Sequence, residues 1–228
     1  MMTSSPSFTG FSQAGLRFLR DLAKNNDRQW FAPRKHIYET ELLEPLRALV
    51  ADASVAMKRA KIPLGADPRR ATFRIYRDVR FSPDKSPYKT NLGAFLAHNG
   101  NHDNPGGLYI HIEPKQSFAA SGFYQIERPL LLRWREEMAR NGRAFESVVR
   151  TLERKGLFFS DDQDALKRLP RGFESYAEIP IAKYLRRSSF TVSEKLADDE
   201  IASHGLIKRI VDFAKRALPL LTYGWQLS

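Results

Sequence analysis

Apolar residues at steps of three and four open the chain. Leu16, Leu19, Leu22 and Ala23 share one helical face, and Ser12 stands where an N-cap is needed. Asn25-Asn26 closes this helix, because Asn tolerates the left-handed backbone. Trp30 and Phe31 are expected to anchor the next turn in the core. Pro33 suits the first turn of a second helix. Leu42, Leu46, Leu49, Ala53, Met57 and Ala60 then make an amphipathic stripe, and Pro45 within it predicts a kink or a split. Residues 62–68, with two prolines and a glycine, predict an exit loop.

From about Arg70 the apolar period falls to two. Phe73, Ile75, Val79 and Phe81 fall on one face of a predicted strand, and Arg74, Tyr76, Asp78 and Arg80 on the other. Arg77 breaks the pattern. A charge directed into an apolar face is costly unless paired, so either a bulge or an ion pair with Asp78, Asp84 or Glu113 is expected. Residues 82–87 read as a turn, 88–98 as a second strand and 99–107 as a loop. Residues 108–113 form a third strand and 117–124 a fourth, rich in small side chains. The short connections predict an antiparallel meander.

Helical spacing returns after Pro129 with Leu131, Trp134 and Met138, ended by Asn141-Gly142. Phe145, Val148, Val149 and Leu152 follow, ended by Gly156. Ser160-x-x-Gln163 predicts a capping box that starts a short helix through Leu169, and 170–180 a loop. Residues 188–192 predict one more strand. Ile207, Ile210, Val211, Ala214 and Leu218 mark a last helix, closed by Pro219 and Gly224. The expected fold is α+β: one domain over residues 8–228, behind a loose tail over 1–7. Its central antiparallel meander of four to five strands is flanked by N- and C-terminal helices.

Composition narrows the chemistry. The 228 residues contain no cysteine, which excludes a disulfide scaffold, a thiolate metal site and a cysteine nucleophile. The net charge of +11 draws the chain toward polyanions. No window approaches the ~20 apolar residues of a membrane span. The first ten residues lack the basic and apolar regions of a signal peptide. A cytoplasmic protein with no membrane partner is expected.

If helices cover one sheet face, the other carries Arg74, Tyr76, Asp78, Arg80, Tyr109, His111 and Glu113, with Lys89 and Asn91 joining if the register allows. Arginine offers a planar fork of donors that matches phosphate or carboxylate. His111 and Glu113, two apart on a strand, point the same way. His111 is therefore the candidate acid or base, oriented by Glu113 or Asp78. Arg74, Arg77 and Arg80 are the candidate anion holders, with Lys85, Tyr88 and Lys89 at the entrance.

No cofactor is specified. His98-x3-His102 with His111 and Glu113 matches no compact zinc signature, and no metal site is expected. Residues 104–107 lack the strand-to-helix context of a phosphate loop, and no G-x-S-x-G elbow occurs. Three functions remain open. The first is a pocket for a phosphate-containing small molecule, with hydrolase or transferase chemistry. The second is a nucleic-acid module, in which the interleaved rings and cations of Phe73-Arg74-Ile75-Tyr76-Arg77 and Arg80-Phe81 serve as a stacking platform. The assignment of Phe73 and Phe81 to the core face weakens it. The third is a structural or interaction protein with an internal ion-pair network.

Several motifs also carry a resemblance. They are Phe8-Thr9-Gly10-Phe11, Leu22-x-x-Asn25-Asn26-x-x-x-Trp30-Phe31, Arg74-Ile75-x-Arg77-Asp78-x-Arg80-Phe81-x-x-Asp84-Lys85-x-Pro87-Tyr88-Lys89-Thr90 and His111-x-Glu113-Pro114. Over most of its length the chain resembles a widespread bacterial and fungal family of uncharacterised proteins, a domain of unknown function. Ala119-Ala120-Ser121-Gly122 stands where that family carries a glycine-rich segment. The resemblance implies a single-domain cytoplasmic protein and brings no activity, cofactor or catalytic residue with it.

Overall fold

The computed structural model describes residues 7–228. Helix α1 spans Gln13–Lys24, and the Ser12 hydroxyl accepts the Gly15 N–H at 3.0 Å, as the capping pattern predicts. A nearly continuous helical run follows: Arg28–Phe31, Ala32–Arg34, Lys35–Tyr38, Glu39–Leu43 and then α2, Glu44–Arg59. Pro45 does not split it. The Glu39–Leu43 segment is a π turn, and Pro45 sits in the first turn of α2, where its missing N–H is tolerated.

Among the described residues one sheet has five strands in sequence order, all antiparallel. They are β1 (Leu64–Gly65), β2 (Leu92–His98), β3 (Gly107–Ile112), β4 (Phe118–Phe123) and β5 (Phe190–Lys195). Strands β2 to β4 are the last three of the four strands of the predicted meander. The two-residue β1 lies where a loop is predicted. Helices α3 (Arg128–Arg140) and α4 (Gly142–Arg154) intervene before β5, and α5 (Leu206–Trp225) follows it.

The register sorts the side chains by face. Leu92, Ala94 and Leu96 pair with Ile112, Ile110 and Leu108, and Ser121 and Phe123 pair with Val192 and Phe190. All of these are buried. Helices α2 and α5 pack on the sheet, with α4 against α5. Trp134 of α3 stacks on Phe190 at 4.5 Å. The opposite face presents Phe95, Tyr109, His111, Phe118, Ala120 and Thr191, all partly exposed, with Ser193 and Lys195 exposed. Antiparallel sheets tolerate this one-sided covering.

Three sequence expectations need correction. The strand expected over residues 73–81 is an irregular arm. Its limbs meet through isolated bridges, Thr72 to Ala94 and Tyr76 to Tyr88, and through Lys89 N–H to the Ile75 carbonyl at 2.7 Å. Of the four residues assigned to its core face, only Ile75 is buried; Phe73 is 48% and Phe81 94% exposed. Pro83 and Pro87 remove ladder donors, and the arm's charged tip has no core to cover.

The helix predicted from Ser160 does not form. The Ser160 N–H donates instead to the Thr191 carbonyl, and Asp162 accepts the N–H groups of Ser188 and Ser189 at 2.7 and 3.1 Å. Side-chain bonding to a neighbouring strand outcompetes the capping box.

Pro219 and Gly224 lie inside α5 rather than closing it. A Cβ on Gly224 would fall 2.2 Å from the Phe123 ring and 2.5 Å from Trp134, so Gly224 is a close-packing position. Residues 1–6 of the expected tail lie outside the described residues. Ser7 donates its hydroxyl to Asp52 at 2.9 Å.

Candidate functional site

The arm is held to the helices at its base. The Asn26 amide donates to the Tyr88 carbonyl at 2.9 Å and accepts the Tyr88 N–H at 3.1 Å, taking the place of a neighbouring strand. Phe31 stacks on the Tyr88 ring at 4.1 Å. These contacts deliver Lys89, Thr90 and Asn91 to the open face beside β3.

There a hydrogen-bonded chain forms around His111. Its Nε2 lies 3.0 Å from Glu113 Oε2, and its Nδ1 lies 3.2 Å from the Tyr109 hydroxyl and 3.3 Å from Asn91 Nδ2. The Asn91 amide nitrogen can only donate, so Nδ1 is an acceptor. The neutral ring therefore carries its proton on Nε2 and donates it to Glu113. Thr90 donates its hydroxyl to the other Glu113 oxygen at 3.2 Å. The Ser117 hydroxyl bridges the Glu113 N–H and carbonyl at 3.0 and 2.8 Å. Phe118, paired with His111 across the strands, stacks on the imidazole at 4.6 Å.

Gly93 faces His111 from β2. A Cβ there would fall 2.8 Å from the Tyr109 hydroxyl and 3.1 Å from the Phe73 ring, so only glycine leaves the phenol where it is. Burial, with the Glu113 charge adding to it, pushes the Tyr109 phenol above its ordinary pKa. The phenol is therefore protonated at neutral pH, with its hydroxyl 3.2 Å from His111 Nδ1. A hydroxyl, a base within reach and a carboxylate that orients the base are the parts of an activated-nucleophile or proton-relay site.

Two cations flank this chain. Lys89 Nζ lies 5.6 Å from the Phe73 ring centroid. Burial, and then the nearby Arg74 charge, draws the Lys89 amine below its ordinary pKa. Neither Lys89 nor Arg74 has a carboxylate within ion-pair distance among the described residues. A partly buried cation beside another cation favours an added anion.

The sequence-predicted residues divide into two groups. His111 and Glu113 lie in the relay, Lys89 stands over the Phe73 ring next to Tyr109, and Arg74 is close to both Lys89 and Asp78. The arm's tip holds the others. Arg77 pairs with Asp84, Arg80 with Asp78 at 2.7 Å, and Lys85 donates to the Val79 carbonyl at 3.0 Å. Each pair holds its carboxyl below the usual range, through the Arg77 and Arg80 guanidinium groups respectively. Asp78 is therefore a partner of Arg80 and not of His111. Tyr88 is buried under Phe31 as an anchor.

Sequence reasoning left Thr90 and Phe118 out of the site. Thr90 stands in the motif of the arm, but only the register shows that its hydroxyl meets Glu113. Among the described residues no cluster of three or more His, Cys, Asp or Glu side chains could hold a metal ion. No helix among them is long and apolar enough to cross a membrane. Two clefts, of about 400 and 200 Å³, lie among the helices, and neither is lined by a residue of the relay.

A family model described as a conserved hypothetical protein (DUF2461) matches residues 14–223. No curated protein and no solved structure matches the chain.

Proposed function

We propose that this chain, which belongs to the DUF2461 family of conserved hypothetical proteins, uses its open sheet face as a proton-transfer site for a phosphate-bearing ligand, with hydrolase or transferase chemistry. One observation carries the proposal: His111 is held between Glu113 and Tyr109, and Lys89, over the neighbouring Phe73 ring and close to Arg74, makes no ion pair among the described residues. Lys89 and Arg74 bind the phosphate. As the oxygen of a water or hydroxyl above Tyr109 bonds to phosphorus and the P–O bond to the leaving group breaks, its proton passes to the phenol oxygen and the phenol proton moves to His111 Nδ1. Glu113 stabilises the imidazolium that forms, and the reverse transfer returns the proton to the leaving oxygen. Thr90 and Asn91 fix the carboxylate and the ring.

Thermal unfolding against inorganic phosphate, sugar phosphates and nucleotides tests the binding half. A ligand at 100 times its Kd stabilises by ~2.7 kcal/mol. For a chain of this length that is roughly 5–11 °C in midpoint. Lys89→Ala abolishes the shift, whereas Tyr109→Phe keeps it and loses release of phosphate from the bound ester. Absence of any shift, or an undiminished shift in Lys89→Ala, overturns the proposal.

A further inference from the structure

We infer that the phosphate-bearing ligand of this face is a single strand of nucleic acid, its bases resting on a row of rings that crosses the meander and its phosphates meeting cations at both ends of that row. This inference rests on the phosphate-site proposal above and narrows its ligand class.

The row is set by the register. Phe73 lies 5.9 Å from Tyr109, and Tyr109 lies 5.9 Å from Phe118, centroid to centroid. Phe95 pairs with Tyr109 from β2 and so stands on the same face, its ring 6.3 Å from that of His102. Aromatic platforms of this kind accept any base, because every base has a π-face. The sequence pattern placed Phe73 in the core, which counted against a stacking surface. Its half-exposed ring beside Tyr109 removes that objection.

Charge complementarity selects the occupant. Arg74 and Lys89 stand beside Phe73 at one end of the row, and Lys195 pairs with Phe118 at the other. The whole chain carries +11. Between the ends, Ala120 pairs with Tyr109 on one side and with Ser193 on the other, which leaves low, polar-edged ground next to the phenol. A backbone phosphate crossing that gap would lie over the relay.

The openness of the face argues for a polymer. Small-molecule sites bury most of their ligand inside a concave pocket. Here Phe73 is exposed and Phe95, Tyr109 and Phe118 are partly exposed along the face. Exposed rings, here inclined at 65° and 56° to their neighbours, can take unpaired bases one at a time, whereas a duplex keeps its bases stacked on one another.

The test uses the full chain and fluorescence anisotropy with fluorescein-labelled dT12 and U12, the matching duplexes, and AMP and inorganic phosphate as competitors. The single strands should bind at least tenfold tighter than AMP and than the duplexes. With three phosphates neutralised, affinity should fall about 20-fold between 50 and 200 mM salt. Phe73→Leu, which keeps apolar bulk but removes the ring, should weaken binding at least fivefold with an unchanged salt slope. Lys195→Ala should flatten the slope by about 0.7.

Equal affinity for single and double strands, or a neutral Phe73→Leu, overturns the inference. If AMP or phosphate binds and Lys89→Ala abolishes it, while the oligonucleotides gain nothing over AMP, the inference fails and the phosphate-site proposal stands. If no phosphate compound binds, both fail.

Discussion

Asn26 offers the sharpest test of how the site is assembled. Its amide makes two hydrogen bonds to the Tyr88 backbone, at 2.9 and 3.1 Å, and Tyr88 is 5% exposed. Asn26→Ala removes both bonds and leaves a donor and an acceptor without protein partners. Each bond contributes about 1 kcal/mol net, and a stranded buried group costs about 1–3 kcal/mol. The arm can shift to admit water, which sets the total near the low end, at about 2–3 kcal/mol. That corresponds to roughly 4–12 °C in midpoint for a chain of this size. Urea unfolding should show a lower midpoint with an unchanged slope. Hydrogen exchange should show faster opening of the Lys89 N–H, which donates to Ile75 within the arm. The Asn26→Asp variant keeps the acceptor for the Tyr88 N–H but sets a carboxylate against the Tyr88 carbonyl, so it should not restore stability. A loss below about 0.5 kcal/mol in Asn26→Ala would refute the clamp, since surface changes without consequence fall in that range.

Three further outcomes follow from the geometry. Gly93→Ala places a methyl 2.8 Å from the Tyr109 hydroxyl. The end of that side chain can swing away, so stability should change by less than about 1 kcal/mol, while the His111 imidazole resonances shift; unchanged resonances would contradict the contact. Arg77→Ala should cost less than about 1 kcal/mol in denaturant unfolding, because its Asp84 partner is 57% exposed; a loss above ~3 kcal/mol would mark a buried pair instead. Burial pushes the Tyr38 phenol up to about 12. The unfolded chain releases that proton near pH 10 and the folded chain does not, so this contribution is complete below pH 10. It falls as pH rises toward 12, by about 2–3 kcal/mol in all. Tyr38→Phe should flatten that alkaline limb, and an unchanged limb would contradict the assignment.

Much of the fold was legible because periodicity reports burial. The strands around Leu96, Ile110, Ala119 and Val192 and the helices around Leu49, Trp134 and Ile210 all occupy the predicted segments. The arm was not legible, because alternation of Phe73, Ile75, Val79 and Phe81 mimics a half-buried strand. Whether such a segment is buried depends on what lies opposite it, and here Phe81 at the tip is 94% exposed. The failed helix at Ser160 has a similar cause: the Ser160 N–H donates to Thr191 of β5 and Asp162 accepts from Ser188 just before it, partners some 30 residues away that local spacing cannot reveal. At the site, His111 and Glu113 were legible because strand alternation fixes which side chains share a face. Asp78 was misplaced with the arm, and Thr90 and Phe118 emerged only with the register.

The distribution of charge along the arm explains why so basic a segment can fold and still favour an anion. Residues 72–91 carry five cations and two carboxylates. Asp78 and Asp84 both act at the tip, where they offset Arg80 and Arg77, while Lys85 turns back onto the Val79 carbonyl. Of the net +3, one charge, Lys85, therefore stays at the tip, and the other two lie toward the base, on Arg74 and Lys89. That is also where the Asn26 clamp fixes the backbone and where His111 and Glu113 meet Thr90 and Asn91. Removing a tip pair should therefore alter the arm's shape with little effect on phosphate affinity, whereas neutralising Lys89 should remove affinity with little effect on shape. Circular dichroism and midpoint shifts measured together on Asp84→Asn and Lys89→Ala separate these two consequences. If Asp84→Asn lowers phosphate affinity as far as Lys89→Ala does, the tip and the base act as one binding surface and this division of charge is wrong.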